Sequence, residues 1–215
     1  GFLPIEMPLI YAAKRFGVPQ MGADLGWDNL SSKYHTVLPV DHLAVWNDTM
    51  RDEAVRYHGF RADRVKVTGA VPFDGYFGDE PIPTRDDLCR SVGADPARPV
   101  VTLATAPAQV YPTTDKVVEI LARAVEDGAL DAGVQLLVRV HPRDHVDLYS
   151  RFHDGRRVFV EKPFQQLERS PGAPELDSFT PGSEGRRRLA ATLAHSDVIV
   201  NFASTTTVEA SLFDT

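Results

Sequence analysis

Arg186 to Ala194, Val198-Ile199-Val200-Asn201-Phe202, Ala203-Ser204-Thr205-Thr206-Thr207 and Val208-Glu209-Ala210 follow one another as a helical stretch, an apolar strand, a turn of small hydroxyl residues and the start of a second helix. A hydroxyl turn between strand and helix gathers backbone N–H groups and side-chain donors at one point, which suits an anion. Glu209 follows one turn into the helix, where a carboxylate can reach a ribose hydroxyl. Strand, hydroxyl turn and acid together predict a nucleotide site in an α/β fold. The competing reading is capping by Ser204 or Thr205 with Glu209 on a solvent face. The run from Ser204 to Thr207 holds more hydroxyls than a cap needs.

Strands and helices alternate through the rest of the chain, which argues for mostly parallel sheets. A helix is predicted from Met7 to Phe16, with Gly17 as its cap, then a strand from Val18 to Ala23. Gly26 to Pro39 reads as a loop or short helix, and His42 to Trp46 as a strand. Asn47 or Thr49 caps a helix ending at Gly59, and Arg64 to Thr68 is the next strand. Asp74 to Pro83, rich in Gly, Pro and acids, reads as a linker, and Thr84 with Asp87 as a capping box. Beyond it come a strand at Val100–Ala104, an amphipathic helix from Thr113 or Thr114, and strands at Gln135–Val140 and Arg157–Val160. Glu161 to Gly185, with its prolines and glycines, reads as a mobile surface loop. A break near residue 80 divides the chain into units 1–80 and 81–215. Each lacks part of a complete sheet, so the chain reads as an internal fragment of a longer protein.

Acidic residues outnumber basic ones by 30 to 23 and no long basic run exists, which argues against non-specific nucleic-acid binding. Arg186-Arg187-Arg188 is the one basic cluster, a solvated face or a phosphate contact. Cys89 is alone, so no intramolecular disulfide can form, and a reducing compartment is expected. No apolar run is long enough to span a bilayer and no signal peptide is visible. The histidines show no metal-ligand spacing, and no metal or cofactor is expected.

Four clusters carry the chemistry. In open parallel sheets ligands bind beyond the carboxyl ends of strands. There, after Val18–Ala23, lie Trp27, which can stack on a sugar face, and Asp28 and Asn29, which can bond hydroxyls. Asp28 is a candidate base. The plainer reading buries Trp27 in the core and makes Asp28 or Asn29 a helix cap. After Gln135–Val140 come His141-Pro142-Arg143-Asp144, where His141 can donate to a diphosphate and Arg143 add charge-assisted bonds. The alternative is a loop histidine satisfied by backbone carbonyls. Thr105-Ala106-Pro107-Ala108 is small enough to admit a phosphate, or is an ordinary turn. The fourth cluster is the Ser204–Glu209 turn.

Gly26-Trp27-Asp28-Asn29-Leu30-Ser31-Ser32-Lys33, Val45-Trp46-Asn47 and Val67-Thr68-Gly69-Ala70-Val71-Pro72-Phe73-Asp74 together resemble proteins of GT-B fold from bacterial surface-carbohydrate synthesis. The nearest resemblance is to CDP-glycerol glycerophosphotransferase-like proteins, with a more distant one to UDP-N-acetylglucosamine 2-epimerases. The resemblance implies two Rossmann-like lobes, both truncated here, facing each other across a cleft, with the acceptor on the N-lobe and the nucleotide donor on the C-lobe. By position it implies that His141, Ser204, Thr205, Thr206 and Glu209 bind the donor, and the reading of the loops adds Thr105 and Arg143 to that set. His141 would act at the diphosphate and Glu209 at the ribose. Trp27, Asp28 and Asn29 would serve the acceptor. The implied activity moves a glycosyl or glycerol-phosphate group from a nucleotide-activated sugar or CDP-glycerol to a carbohydrate or lipid-linked acceptor. The implied location is cytoplasmic, either free or in peripheral contact with the inner face of the membrane. A 2-epimerase and a non-catalytic sugar-nucleotide binder are the rival readings.

Overall fold

Local chemistry sets most element ends. In a computed structural model of the chain, residues 6–33, 39–78, 80–131, 133–161, 183–202 and 204–214 are described. The chain divides into two compact units, Gly1–Phe77 and Gly78–Thr215, where the sequence places its break near residue 80. Both are α/β, with parallel sheets of three and four strands.

The first unit begins with α1 (Glu6–Arg15), which is followed by β1 (Met21–Ala23), β2 (His42–Val45), α2 (Asp48–His58) and β3 (Val65–Val67). The predicted strand from Val18 shortens to its last three residues. Asn47 caps α2, its side chain accepting the Met50 N–H at 2.9 Å, and Gly59 ends the helix at φ 71°. That left-handed conformation carries little penalty for glycine. The strands lie in the order β1-β2-β3, with Gly22 opposite Leu43 and Ala44 opposite Lys66. Leu30, Leu43, Val45, Met50, Ala54, Phe60 and Val65 form the core. Beyond β3, Val71–Tyr76 is a 3-10 helix that seats Phe73 edge-on against Trp46, ring centres 5.0 Å apart.

The second unit runs α3 (Arg85–Val92), β4 (Val100–Ala104), α4 (Thr114–Glu126), β5 (Gln135–Arg139), β6 (Val158–Glu161), α5 (Ser183–His195), β7 (Val198–Val200) and α6 (Thr206–Ala210). Thr84 and Asp87 form the expected capping box. Gly185, read from the sequence as loop, lies within α5, and Glu161 ends β6. The remainder of that loop reading, 162–182, lies outside the described residues. Strand β5 is buried along its whole length because both faces are covered. One faces Leu103, Val118, Val125 and Val158, and the other belongs to a cluster with Cys89, Val100 and Phe159. Arg139, the one charge in that run, pairs with Glu161 at 2.7 Å and donates to the Thr192 hydroxyl at 3.1 Å. Arg188 of α5 holds the second Glu161 oxygen through its Nε at 2.9 Å.

The sheet order is β6-β5-β4-β7. The chain steps outward from β4 to β5 to β6, then returns through α5 to place β7 on the other side of β4. The direction of winding reverses between β4 and β7. At such a reversal the loops leaving two adjacent strands part, and a crevice opens beyond their carboxyl ends. No helix among the described residues is long and apolar enough to cross a membrane.

Candidate functional site

The switch point of the second unit lies between the segments that follow β4 and β7, with the segment after β5 one strand further. Strands β5 and β7 are two places apart, about 10 Å across the sheet. Thr105, His141 and Ser204 therefore leave the same edge of the same sheet.

The turn after β5 is held from below. Thr105 is 5% exposed, and its hydroxyl accepts the His141 backbone N–H at 2.8 Å. The Thr105 N–H in turn donates to the Arg139 carbonyl at 3.0 Å. Thr105 thus sits beneath the turn as a support for His141. Asp144, also buried, accepts the Ala108 N–H with both carboxylate oxygens, at 3.2 and 3.0 Å. That bond ties the β5 turn to the β4 loop. Tyr149 is buried below them, and burial pushes its phenol pKa up, with the Asp144 carboxylate adding to the rise.

His141 is half-buried, and its orientation is chemically informative. The Arg143 backbone N–H donates to its Nδ1 at 3.1 Å, so Nδ1 is an acceptor and the neutral ring carries its proton on Nε2. Burial lowers its pKa. The Asp144 carboxylate works the other way, the Arg143 guanidinium adds to the lowering, and the net shift is down. The imidazole is therefore a neutral donor at ordinary pH. Arg143 itself lies on the exposed side of the turn.

At β7 the hydroxyl run is organised by Asn201. Its Oδ1 accepts the Ser204 N–H at 3.3 Å and the Thr207 hydroxyl at 3.0 Å. Ser204 Oγ accepts the Thr206 N–H at 3.2 Å and lies 3.0 Å from Thr206 Oγ1. Thr205 is exposed and its side chain makes no capping bond. Helix α6 starts at Thr206, two residues earlier than the sequence suggests, and spans five residues before a 3-10 turn. Donors here are the individual hydroxyls and amides, since a helix this short supplies little dipole. Glu209 is half-buried on that helix. Tyr111 from the β4 loop packs on Phe202 at the end of β7, ring centres 5.7 Å apart, joining the segments that follow the two strands.

The loop after β1 belongs to the first unit. Trp27 is 47% exposed, which sets aside the reading that buries it in the core. Asp28 pairs with Lys33 at 2.7 Å and takes a long bond from the Ser32 hydroxyl at 3.4 Å. Burial alone would raise the Asp28 pKa. The Lys33 ammonium, the residue's own backbone N–H and Ser32 outweigh it and hold the carboxyl below its usual range. It is a ready hydrogen-bond acceptor and a weak base. Asn29 is turned inward, donating to Asp24 Oδ1 at 2.6 Å. Asp24, 4% exposed, also accepts the Gly26 N–H at 3.1 Å, and its carbonyl takes the Trp46 indole N–H at 2.8 Å.

Asp24 and Tyr149 are organising residues that the sequence reading does not name, and Gly26, Asp144 and Asn201 appear in it only within longer stretches, without a role of their own. Asn201 alone carries a local signal, an Asn before a Ser/Thr run that favours an Asx turn. Among the described residues no group of three or more His, Cys, Asp or Glu side chains is placed to hold a metal ion. No protein-family model matches the chain, and none of the curated proteins matches it. The likeness to GT-B proteins therefore rests on the residues quoted for it.

Proposed function

We propose that the second unit binds the diphosphate of a nucleotide-activated donor at the β4/β7 crevice. The full activity would be transfer of a glycosyl or glycerol-phosphate group, in a GT-B-type enzyme, to a cell-surface polymer or glycolipid. The observation that carries this reading is the convergence of the His141 turn and the Ser204–Thr207 run on one sheet edge at the point of strand-order reversal. In this scheme His141 donates Nε2–H to the leaving phosphate, where charge develops as the bond to the transferred group breaks. Ser204, Thr205 and Thr206 supply further donors, Arg143 adds positive charge, and Glu209 takes the ribose. In the first unit Trp27 and Asp28 offer an aromatic face and a carboxylate to acceptor hydroxyls, while Asn29 holds the loop in shape.

Calorimetry with CDP, UDP, GDP and CMP tests the donor site. His141→Ala is expected to weaken binding of the preferred diphosphate by about 1.5–3 kcal/mol, the net value of one hydrogen bond to a charged group. The same nucleotide should bind the Trp27→Ala variant unchanged. Equal affinity of wild type and His141→Ala for every nucleotide would overturn the reading. Release of free nucleotide from an activated donor in the presence of acceptor separates a transferase from a binder.

A further inference from the structure

The first unit carries a cleft of about 620 Å³ at the amino-terminal ends of its strands, the opposite edge from the Trp27 loop. Gln20 precedes β1, His42 opens β2 and Arg64 precedes β3, and all three line it together with Lys14 and Arg61. In a chain with an acidic excess, three cations at one cleft are a local departure.

The charges there are unequally committed. Arg61 is forked onto Asp63 at 2.9 and 3.0 Å. Arg64 donates Nη1 to His42 Nε2 at 2.8 Å and lies 3.8 Å from Asp63. A guanidinium has only protons to give, so that imidazole nitrogen accepts, and the pair keeps the arginine's charge. Lys14 forms no ion pair among the described residues. The one carboxylate lining the cleft, Asp41, accepts the Gln20 backbone N–H at 2.9 Å. The Gln20 side chain is the anomaly. Both its amide nitrogen and its amide oxygen are shut off from solvent, and neither has a hydrogen-bond partner among the described residues. A buried amide left this way is costly, and polar groups in folded proteins are normally paired.

We propose that this cleft binds a phosphorylated small molecule. Lys14 and Arg64 hold the phosphate, the Gln20 amide turns to a polar group of the ligand, and an apolar body lies along Val18, Pro19 and Phe60. The volume suits a small molecule, and apolar walls with a few converging polar groups are the usual make-up of such sites. Ammonium and guanidinium together suit the several oxygens of a phosphate. This site is independent of the donor reading in the second unit, and either can fail alone.

The test is calorimetric titration of the 215-residue protein with phenyl phosphate, with inorganic phosphate and phenol as the two halves of that probe. Phenyl phosphate should bind saturably and more tightly than inorganic phosphate, and phenol should not bind. Lys14→Gln and Arg64→Gln should each weaken phenyl phosphate by roughly fivefold or more. Arg56→Gln, an exposed charge on α2 outside the cleft, should leave it unchanged. The Gln20 side-chain amide resonance should move on titration. Lys14 is exposed, so Lys14→Gln keeps the fold and carries the test alone if Arg64→Gln unfolds. Absence of saturable binding, equal loss in Arg56→Gln, or shifts centred on His141 in place of Gln20 would overturn the proposal.

Discussion

At the scale of single residues, His141 has the most specific chemistry. Its lowered pKa links it to stability with a definite sign. Between the folded-state value and the ordinary value of about 6.5, the unfolded chain holds a proton that the folded imidazole lacks. Stability from this group should therefore rise with pH across that window, level off above about 6.5, and be lost as pH falls through the folded pKa. Urea unfolding from about pH 5 to about pH 8 in wild type and His141→Gln checks this. The wild-type midpoint should climb more steeply than that of the variant, and parallel profiles would mean that the ring is not desolvated in solution. The Nδ1 bond from Arg143 makes the same point structurally, since protonating that nitrogen would break it.

At the scale of elements, the loop after β1 is built around a close approach. A Cβ at Gly26 would lie 2.7 Å from Asn29 Nδ2 and 2.8 Å from its Oδ1. The Asn29 side chain could swing away only by giving up Asp24. Gly26→Ala should cost about 1–3 kcal/mol by overpacking or by that lost bond. Asn29→Ala removes the obstacle, so in a double-mutant cycle the two costs should add to clearly more than the double variant shows. Strict additivity in thermal unfolding would contradict the geometry. The same loop shows where sequence reading stops. Asn47, Thr84 with Asp87, and Gly59 are legible because a cap is decided within a few residues. Strand β5 is legible because burial on both faces writes a nearly continuous apolar run, Leu136-Leu137-Val138 with Val140 beyond Arg139. Asp24 gave no signal, since its burial depends on Asn29 and on Trp46, 22 residues away. Asp144 was quoted only as part of the His141 turn, and its bond to Ala108 spans 36 residues. Strand order, and with it the crevice between β4 and β7, is a long-range property that alternation of elements leaves open.

At the scale of the whole molecule, the two units differ in how well they cover their apolar surface. In the second, β5 is enclosed on both faces. In the first, α1 has no buried residue, Leu9 and Tyr11 are 60% and 63% exposed, and Met21 of the edge strand β1 is 70% exposed. Large exposed apolar side chains recruit partners or dye, and an open strand edge invites pairing. The 215-residue chain is expected to bind 8-anilinonaphthalene-1-sulfonate under native conditions, and Leu9→Gln with Tyr11→Gln should reduce the emission. Native-state emission no brighter than that of a well-covered globular protein would show that this face closes in solution.

The indole contact between Trp46 and the Asp24 carbonyl has an optical consequence. The chain holds two tryptophans, Trp27 and Trp46, and both lie in the first unit. Excitation at the red edge of aromatic absorption therefore reads that unit alone and leaves the other dark. One emitter is open to aqueous quenchers, while the other is half-buried and anchored through its ring nitrogen. Iodide should extinguish the first and spare the second. A ligand that stacks on Trp27 should therefore protect the quenchable fraction, a colour change by which occupation of that loop can be followed without any label.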